Sequence, residues 1–514
     1  MTNILYIPLD ERACNYRFPV LLSEMTEDIR VLVPPREYMG MLKQPADVDK
    51  LWEWVFENVP NCDYAIISVD TLIYGNIINS RIHNKNIEEC TKYLEKFKRI
   101  KMLNDDIEIH AFNLVARVAN YNSDSEDPYY WATHGTQIWK YSYLKDKIKR
   151  GHADEQEKSE FDALQSSIPR EYLHDFLNRR EVDRFVNLSC LDLLKQGHID
   201  YLVVPKDDTA EYGYAALDQS AVARKVYENR LMDRVMVYPG ADEVGSVLFA
   251  RVFNRIKNYR PKVYIRYSST LGPTVIPRYE DRPLNEGIKA QITSLGGVIV
   301  DTALESDFML AIHSPGKYMI ESMEQYTKDL SFHSHINMDE FLNYIEYYIN
   351  SINRPCVLAD VAFSNGADNE LMIYAKQKGI LEKLAGYGGW NTSQNTIGVV
   401  LAHGVLCSYY NNFVHNFDKQ LLSSEFLLRK IIEDWLFQSN VLHEMLWKYE
   451  EYPQIDPHRL GEWEKTVMET MDKMIKDQID REFNNKFLGK DIEFTDLNLP
   501  WKRIFDIDFN VKLI

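Results

Sequence analysis

The sequence predicts an α/β protein whose core is a parallel β-sheet, either barrel-like (β/α) or doubly wound. Short runs rich in β-branched and aromatic residues recur along the chain, and longer amphipathic stretches separate them, as in βα units. The length of 514 residues, of which 45% are hydrophobic, is enough to bury a sizeable core. The predicted strands are residues 3–9, 64–69, 107–113, 200–205, 235–238, 262–267, 297–301, 308–313 and 356–361.

Two helical regions are predicted outside this alternation. Residues 121–198 are polar and charge-rich with helical periodicity, which indicates a helical insertion after the third predicted strand. From residue 416 to 514, apolar residues again recur at three- and four-residue intervals. The sequence thus predicts an α/β catalytic core over residues 1–415 and a helical C-terminal region over residues 416–514.

Composition and charge exclude several classes of partner. The chain has 59 Lys and Arg against 77 Asp and Glu, and its net charge of −18 repels the phosphate backbone of nucleic acids. No run of about 18 uncharged apolar residues occurs, and the apolar N-terminal run ends at Asp10 as a first strand would. The six cysteines are scattered, which favours reduced thiols. We therefore expect a cytoplasmic protein that binds neither nucleic acid nor membranes, with a homo-oligomer left open.

Acidic residues follow five of the predicted strands, at the position where binding groups of parallel α/β folds collect. Such residues also cap helices, so each one has a structural alternative. Their repetition nevertheless predicts a polar site at the carboxyl ends of the strands. The residues at or just after these ends are Asp10, Arg12, Asp70, Arg81, Asp207, Asp208, Asp242, Glu243, Asp360 and Asn365.

Two adjacent carboxylate pairs, Asp207-Asp208 and Asp242-Glu243, are the candidate catalytic residues. Cleavage of a glycosidic bond needs a protonated acid for the leaving oxygen and a second carboxylate as base, nucleophile or orienter. Mutual repulsion and partial burial would move the two pKa values of such a pair apart. Capping and surface roles remain the structural alternative, and which pair is catalytic stays open.

Each pair also carries a local resemblance to a glycosidase family. The segment Tyr238-Pro-Gly-Ala-Asp-Glu-Val-Gly245 resembles the Gly-Gly-Asp-Glu-Val motif of chitobiase-type β-N-acetylhexosaminidases, with Ala241 at the second glycine. That resemblance implies that Glu243 is the general acid and that Asp242 orients the substrate acetamido group. The Asp207-Asp208 pair is similar to the Asp-Asp pair of bacterial and animal O-GlcNAcase barrels.

A third feature is the segment 386–398, GYGGWNTSQNTIG. Glycines let the backbone approach a ligand closely, the face of Trp390 can stack on a sugar, and Asn391 offers donors and acceptors for hydroxyls. Such a loop suits a neutral polar ligand. The alternative is a glycine-rich turn in which Thr392 or Ser393 caps the helix that follows.

A whole-chain resemblance rests on motifs that occur in one order between about residues 3 and 405. They are PLDER, SVDTLIYG, KDDTAEYG, YPGADEVG, YEDRPL, ADVAFSNGAD and GYGGWNTSQNTIG. The chain resembles an uncharacterised bacterial family of about this length, known as a domain of unknown function. That resemblance implies no activity.

The predicted function is hydrolysis of a glycosidic bond in a small saccharide, with an exo-acting N-acetylhexosaminidase as its specific form and no cofactor. A zinc protease and a serine triad are disfavoured, because H-E-x-x-H and G-x-S-x-G are absent. Arginines at the strand ends either hold loops through ion pairs or bind an acidic sugar. The predicted saccharide-binding residues are Asp10, Arg12, Asp70, Arg81, Asp360, Asn365, Trp390 and Asn391.

Two other functions stay open. One is a divalent-metal hydrolase or lyase, since carboxylates are the ligands that Mg²⁺ and Ca²⁺ prefer. The other is a non-catalytic sugar-binding protein. The carboxylates that would converge on a metal ion are Asp10, Asp70, Asp207, Asp242 and Asp360.

Overall fold

The computed structural model describes residues 1–414, 419–452 and 454–514, and it confirms the α/β class with parallel-sheet cores. The strands are β1 (Thr2–Ile7), β2 (Ile29–Leu32), β3 (Tyr64–Ser68), β4 (Glu108–Phe112), β5 (Tyr201–Lys206), β6 (Val235–Pro239), β7 (Lys262–Tyr267), β8 (Val298–Val300), β9 (Phe308–His313), β10 (Ile320–Glu321), β11 (Cys356–Asp360), β12 (Phe363–Ser364), β13 (Gly386–Gly388), β14 (Lys486–Phe487), β15 (Lys490–Asn498) and β16 (Asp508–Leu513).

Helices connect these strands. They are α1 (Ala13–Tyr16), α2 (Phe18–Glu24), α3 (Val48–Asn58), α4 (Val69–Tyr74), α5 (Ile77–Ile82), α6 (Ile87–Leu103), α7 (Trp131–Lys149), α8 (Glu155–Ser167), α9 (Arg170–Lys195), α10 (Tyr214–Glu228), α11 (Val244–Ile256), α12 (Leu284–Ser294), α13 (Ser331–Ser334), α14 (Met338–Tyr347), α15 (Asn369–Gln377), α16 (Ser393–Phe413), α17 (Gln420–Lys430), α18 (Leu442–Glu450) and α19 (Glu464–Phe483). The segments Tyr348–Ile352 and Ile431–Val441 are π-helical.

The chain divides into two compact units. Unit 1 consists of Met1–Glu11, Ile29–Gly245 and Tyr279–Asp281. Unit 2 consists of Arg12–Asp28, Ser246–Arg278 and Arg282–Ile514. Each unit contains one large parallel sheet.

Unit 1 is built on six parallel strands in the order β2-β1-β3-β4-β5-β6. In this sheet Ile4 of β1 pairs with Tyr64 of β3, which in turn pairs with Glu108 of β4. All six residues of β5 are buried, because a parallel sheet covered on both faces needs nearly continuous apolar strands. Helices α7, α8 and α9 follow β4 and lie within the predicted insertion at 121–198.

Unit 2 is built on five parallel strands in the order β13-β11-β9-β7-β8. Strands β9 and β11 are buried throughout, and His313 at the end of β9 pairs with Asp360 at the end of β11. Two smaller sheets are also present. One pairs β10 with β12 in parallel, and the other joins β14, β15 and β16 in antiparallel pairs.

Both parallel sheets share one strand order. If the strands of each sheet are numbered from 1 in chain order, the strands lie side by side in the order 2-1-3-4-5 in both sheets. In unit 1, β6 follows as a sixth strand at the end of this order. The order reverses between the first and third strands, and open parallel sheets bind ligands outside the carboxyl ends at such a reversal. The loops after β1 and β3 flank the reversal in unit 1, and those after β7 and β9 flank it in unit 2.

All nine predicted strands are present, as β1, β3, β4, β5, β6, β7, β8, β9 and β11. The sequence analysis did not include β2, which pairs with β1, or β13, which pairs with β11. In the C-terminal region α17, α18 and α19 accompany β14, β15 and β16, strands that the helical prediction for 416–514 did not include. The predicted boundary between residues 415 and 416 lies outside the described residues.

All six cysteines are free thiols, and five of them are buried. In the part of the chain that the structure describes, no helix is both long and apolar enough to cross a lipid bilayer.

Candidate functional site

The predicted site residues lie in both units, and most of them follow strands of the parallel sheets. Unit 1 contains Asp10, Asp70, Arg81, Asp207, Asp208, Asp242 and Glu243. Unit 2 contains Arg12, Asp360, Asn365, Trp390 and Asn391. All four predicted catalytic carboxylates therefore belong to unit 1.

Asp207 is the first residue after β5, and an arginine on α5 holds its carboxylate. Nε and Nη2 of Arg81 donate to the same oxygen of Asp207, at 3.1 and 2.6 Å. The remaining nitrogen, Nη1, donates to Glu126 Oε2 at 2.8 Å. Because Arg81 and Asp207 are both buried, these charge-assisted hydrogen bonds hold the Asp207 carboxylate in one position.

Asp208 lies next along the chain but in a different environment. Its side chain is 30% exposed, and Arg117 Nη1 donates to its Oδ2 at 3.1 Å. Its backbone φ of 27° lies in the left-handed region, which is strained for a residue other than glycine. Partial burial, together with the Asp207 charge, raises the pKa of Asp208 to about 6. Asp208 can therefore exchange a proton near neutral pH.

This carboxylate pair belongs to a cluster in which carboxylates outnumber arginines. Arg117 also pairs with Asp127 at 2.7 Å and with Glu126 at 3.2 Å. The guanidinium groups of Arg81 and Arg117 thus face four carboxylates. The charges of Asp207 and Glu126 oppose ionisation of the more exposed carboxyl, that of Asp208.

A buried lysine, Lys206, supports the end of β5. Its ammonium group donates to Gln219 Oε1 at 2.9 Å and pairs with Asp281. Its carbonyl oxygen accepts a hydrogen bond from Gly240 N at 3.0 Å, which joins the ends of β5 and β6. Lys206 was not singled out from the sequence, although its place at a strand end is the signal that could have found it.

The second carboxylate pair follows β6 and is more enclosed. Glu243 is fully buried, and Asp242 is also buried. Burial raises the pKa of Glu243 well above its ordinary value, and the charges of Asp242 and Glu280 add to the effect. The carboxyl lies against the backbone of Gly240, where a Cβ would come within 2.3 Å of Glu243 Oε1. In this conformation the Glu243 carboxyl has no access to solvent.

Asp10 and Asp70 flank the reversal of strand order in unit 1. Asp10 follows β1 and is fully buried. Asp70 lies in the first turn of α4, and its two oxygens accept hydrogen bonds from Asn113 Nδ2 at 3.0 Å and Leu114 N at 2.9 Å. Burial raises the pKa of Asp70 to about 7. Both carboxyls are therefore positioned by the fold where open parallel sheets bind ligands.

A buried hydrogen-bond chain occupies the corresponding place in unit 2. His313 ends β9, and its Nε2 and Nδ1 lie 3.0 Å from Asp368 Oδ2 and 3.0 Å from Ser268 Oγ. The N–H of Asp368 donates to Asp360 Oδ2 at 2.7 Å, and Ser314 N donates to Ser268 Oγ at 3.1 Å. The chain links a hydroxyl, an imidazole and two carboxylates at the strand-order reversal.

Asp360 is the predicted binding residue in this chain. Burial raises its pKa to about 7. Its Oδ1 is buried and has no hydrogen-bond partner within the described part of the chain. Sequence reasoning selected Asp360 but missed Ser268 and His313, whose only signal is that each stands at the end of a strand.

The loop after β13 is attached to the π-helical segment Ile431–Val441. Gly389 N donates to Asp434 Oδ2 at 2.7 Å, and Lys430 pairs with Asp434 Oδ1 at 2.9 Å. Trp390 is buried, whereas Asn391 is half-buried with a left-handed φ of 68°. The ring of Trp390 therefore packs inside unit 2 in this conformation.

Arg12 and Asn365 contact other parts of unit 2. The Arg12 guanidinium lies 4.5 Å from the ring centroid of Trp501 and 3.9 Å from Asp506 Oδ1. Asn365 Nδ2 donates to Glu321 Oε2 at 2.9 Å. The sequence left two roles open for Arg12, which were to hold a loop through ion pairs or to bind an acidic sugar. These contacts are of the kind that the first role requires.

A cavity of about 620 Å³ in unit 1 lies beside α6 and α9. Its volume is in the range of small-molecule pockets. It contains none of the predicted site residues, although it begins two residues after Arg81. Its lining is polar and mixed in charge: His83, Asn84, Lys85, Asn86, Ile87, Glu88, Asp175, Asn178, Arg179, Glu181 and Val182.

The carboxylates that the metal-dependent alternative requires are divided between the units. Asp360 belongs to unit 2, and Asp10, Asp70, Asp207 and Asp242 belong to unit 1. Among residues 1–414, 419–452 and 454–514, no group of three or more His, Cys, Asp or Glu side chains is arranged to hold a metal ion.

The chain matches one family model, described as “Protein of unknown function (DUF4127)”, over residues 4–510. The match confirms the resemblance to a domain of unknown function that the sequence motifs indicated. No curated protein matches the chain.

Proposed function

We propose that this chain, which belongs to the DUF4127 family, is a glycoside hydrolase acting on a small saccharide, with Asp207 and Asp208 as its catalytic pair. The supporting observation is that two adjacent carboxyls lie in different environments. Asp207 is buried and held by Arg81, whereas Asp208 is partly exposed and has a pKa of about 6. Glycoside hydrolysis uses one carboxyl that is protonated near neutral pH and one that stays ionised.

In the proposed reaction, Asp208 donates its proton to the glycosidic oxygen as the bond from that oxygen to the anomeric carbon breaks. In the N-acetylhexosaminidase form, the acetamido carbonyl oxygen of the substrate makes the new bond to this carbon. Asp207 accepts a hydrogen bond from the acetamido N–H and orients the group. Water then attacks the anomeric carbon as the bond from the acetamido oxygen to this carbon breaks, and the water gives a proton to Asp208, which restores the starting state.

The charge of the cluster suits this reaction. The sugar becomes positively charged in the transition state. The carboxylates that pair with Arg81 and Arg117 stabilise such charge electrostatically. In this scheme Arg81 and Arg117 are positioning residues, and Asp10 and Asp70 bind sugar hydroxyls at the strand-order reversal.

The pair Asp242-Glu243 is the second candidate for the catalytic role. We favour Asp207-Asp208, because a general acid must reach a substrate, and the Glu243 carboxyl is fully buried against Gly240. Asp208 retains an exposed edge. The two assignments predict different effects of substitution.

The experiment is a screen of the purified protein against nitrophenyl glycosides, including α- and β-N-acetylhexosaminides, with and without EDTA. We expect release that resists EDTA and that Asp208→Asn lowers by about 10²–10⁴-fold, the contribution of general acid catalysis. Asp106→Asn, which changes an exposed carboxylate of unit 1, is the matched control and should leave the rate unchanged.

Other outcomes would select other functions. Loss of activity in Glu243→Gln but not in Asp208→Asn would move the acid to the second pair. Activity that EDTA abolishes would support a divalent-metal hydrolase or lyase. Saturable saccharide binding without release from any glycoside would support a sugar-binding protein.

We also propose that the protein acts in the cytoplasm. Its six free cysteines support this location, because structural disulfides are typical of oxidising compartments. Fractionation of cells that express the tagged chain tests it.

A further inference from the structure

The segment between β13 and α16 forms a pre-arranged loop. Thr396 Oγ1 accepts a hydrogen bond from Trp390 N at 3.1 Å and donates to Trp390 O at 2.7 Å. Thr392 N donates to Asn391 Oδ1 at 2.8 Å. The loop therefore keeps its shape through its own hydrogen bonds, at the carboxyl end of a parallel strand and the start of a 21-residue helix.

Three buried polar side-chain atoms of this loop lack a partner. They are Trp390 Nε1, Thr392 Oγ1 and Ser393 Oγ, and no hydrogen bond to them is present in the part of the chain that the structure describes. The exposed fractions of these residues are 6%, 7% and 2%. Buried polar groups are ordinarily hydrogen-bonded, so three unpartnered atoms in four consecutive residues call for a ligand.

The start of α16 adds further donors. Thr392 is the N-cap residue, a position where a threonine oxygen ordinarily accepts a backbone N–H, but its side chain makes no capping bond. The N–H groups in the first turn of any α-helix point out of its N-terminus and carry partial positive charge. The unpartnered Thr392 and Ser393 hydroxyls stand at this same end.

Cationic side chains lie on the aromatic side of the loop. Phe505 contacts the loop tryptophan with ring centroids 6.1 Å apart, and the guanidinium of Arg503 lies 4.8 Å from the Phe505 ring. Arg503 and Arg12 both lie near one carboxylate, Asp506, at 2.8 and 3.9 Å. Lys430 lies 6.0 Å from the tryptophan ring and pairs with Glu433 and Asp434.

We propose that this loop and the N-terminus of α16 form a binding site for a phosphate group in unit 2. The indole N–H and the two hydroxyls donate to phosphate oxygens, and the helix dipole favours the negative charge. A phosphate suits this set better than a carboxylate, because three terminal oxygens can accept from donors that lie on several sides. The phosphate is either the free ion or the ester group of a small molecule such as a sugar phosphate.

The test is calorimetric titration of the full chain at constant ionic strength with inorganic phosphate, glucose 6-phosphate and glucose. We expect saturable binding of a phosphate-bearing probe and none of glucose. The double variant Thr392→Val/Ser393→Ala should weaken that binding by about tenfold or more, since it removes two hydrogen bonds to a charged group. Thr293→Val is the matched control, because it alters an exposed threonine on α12 of the same unit and should bind as the wild type does.

Two arms decide the source of the phosphate and the role of the loop. Tighter binding of glucose 6-phosphate than of inorganic phosphate identifies an ester site, and equal or weaker binding identifies a site for the free ion. Trp390→Phe keeps an aromatic ring at this position and removes the indole N–H. This variant replaces the double variant in the test if circular dichroism shows that the double variant does not fold. Absence of saturable binding of both phosphate probes to the wild type, or variants that bind as tightly as Thr293→Val, would overturn the proposal.

Discussion

Replacement of Asp360 by asparagine should make unit 2 more stable at high pH. An ordinary Asp carboxyl has a pKa of 3.8, whereas burial raises the pKa of Asp360 to about 7. The unfolded chain therefore releases this proton at lower pH than the folded chain, so the wild type loses stability as pH rises from about 4 to about 7. Each pKa unit corresponds to about 1.4 kcal/mol, which makes the loss about 4 kcal/mol above pH 7.

The hydrogen bonds around Asp360 allow an asparagine. Its Oδ2 accepts from Asp368 N at 2.7 Å and lies 3.4 Å from the Tyr387 hydroxyl, so the amide oxygen can take this place. The amide NH₂ then takes the place of Oδ1, the oxygen without a hydrogen-bond partner in the described residues. The substitution thus removes an ionisation cost and keeps the acceptor for the Asp368 N–H.

The assay is urea denaturation of both proteins from pH 4 to pH 8, with the difference in unfolding free energy plotted against pH. Asp360→Asn should gain relative to the wild type as pH rises. Asp329→Asn is the control and should give a nearly constant difference over most of this range, because hydrogen bonds from Ser331 hold the pKa of Asp329 at about 2, so that this carboxyl stays ionised in both the folded and the unfolded chain above about pH 5. A flat difference curve for Asp360→Asn would refute the reasoning.

Three further predictions concern unit 1. If Asp208 is the general acid, kcat/KM for an N-acetylhexosaminide should fall as pH rises through about 6, and a rate independent of pH from 5 to 8 would contradict that role. Arg81→Met should destabilise the protein by about 3–5 kcal/mol in urea denaturation, because it leaves the buried Asp207 charge unpaired, and a loss below about 1 kcal/mol would contradict the buried pair. Gly240→Ala should lower the thermal midpoint more than Gly197→Ala. Both positions have positive φ, but an added Cβ at Gly240 would meet a carboxyl oxygen at 2.3 Å, whereas none of the described atoms lies within 4 Å at Gly197. Equal decreases in the thermal midpoint would show that backbone strain at positive φ, and not the clash with the carboxyl oxygen, causes the loss of stability.

Most of the strands that could be predicted from the sequence are buried strands, because burial requires a run of apolar residues. Strands β5, β9 and β11 are buried throughout and read as apolar runs. Strand β13 is Gly386–Gly388, a segment of glycine and tyrosine that becomes a strand by pairing with β11. Strand β15 exposes most of its residues, so its sequence is mostly polar. Tertiary pairing, rather than local preference, determines these two strands.

Some residues of the candidate site could likewise be predicted from the sequence, and others could not. Asp207 and Arg81 could be selected because each lies close after the end of a predicted strand. The partner of Asp208 could not, because Arg117 stands 91 residues away in the loop after β4. Ser268, His313 and Asp368 are separated by 45 and 55 residues, so no short motif joins them. Their meeting follows from the strand order, which the sequence does not show directly.

The repeated strand order explains why polar groups collect at the carboxyl ends of the strands in both sheets. A 2-1-3-4-5 sheet creates a single reversal, and the chain contains two such sheets. At the reversal in unit 1, Asp10 and Asp70 lie just after the ends of β1 and β3, and in unit 2 Ser268 and His313 lie at the ends of β7 and β9. The residues at the two reversals differ in chemistry, although the topology is shared. The strand order therefore determines where each unit can bind a ligand, and the loop residues determine which ligand it binds.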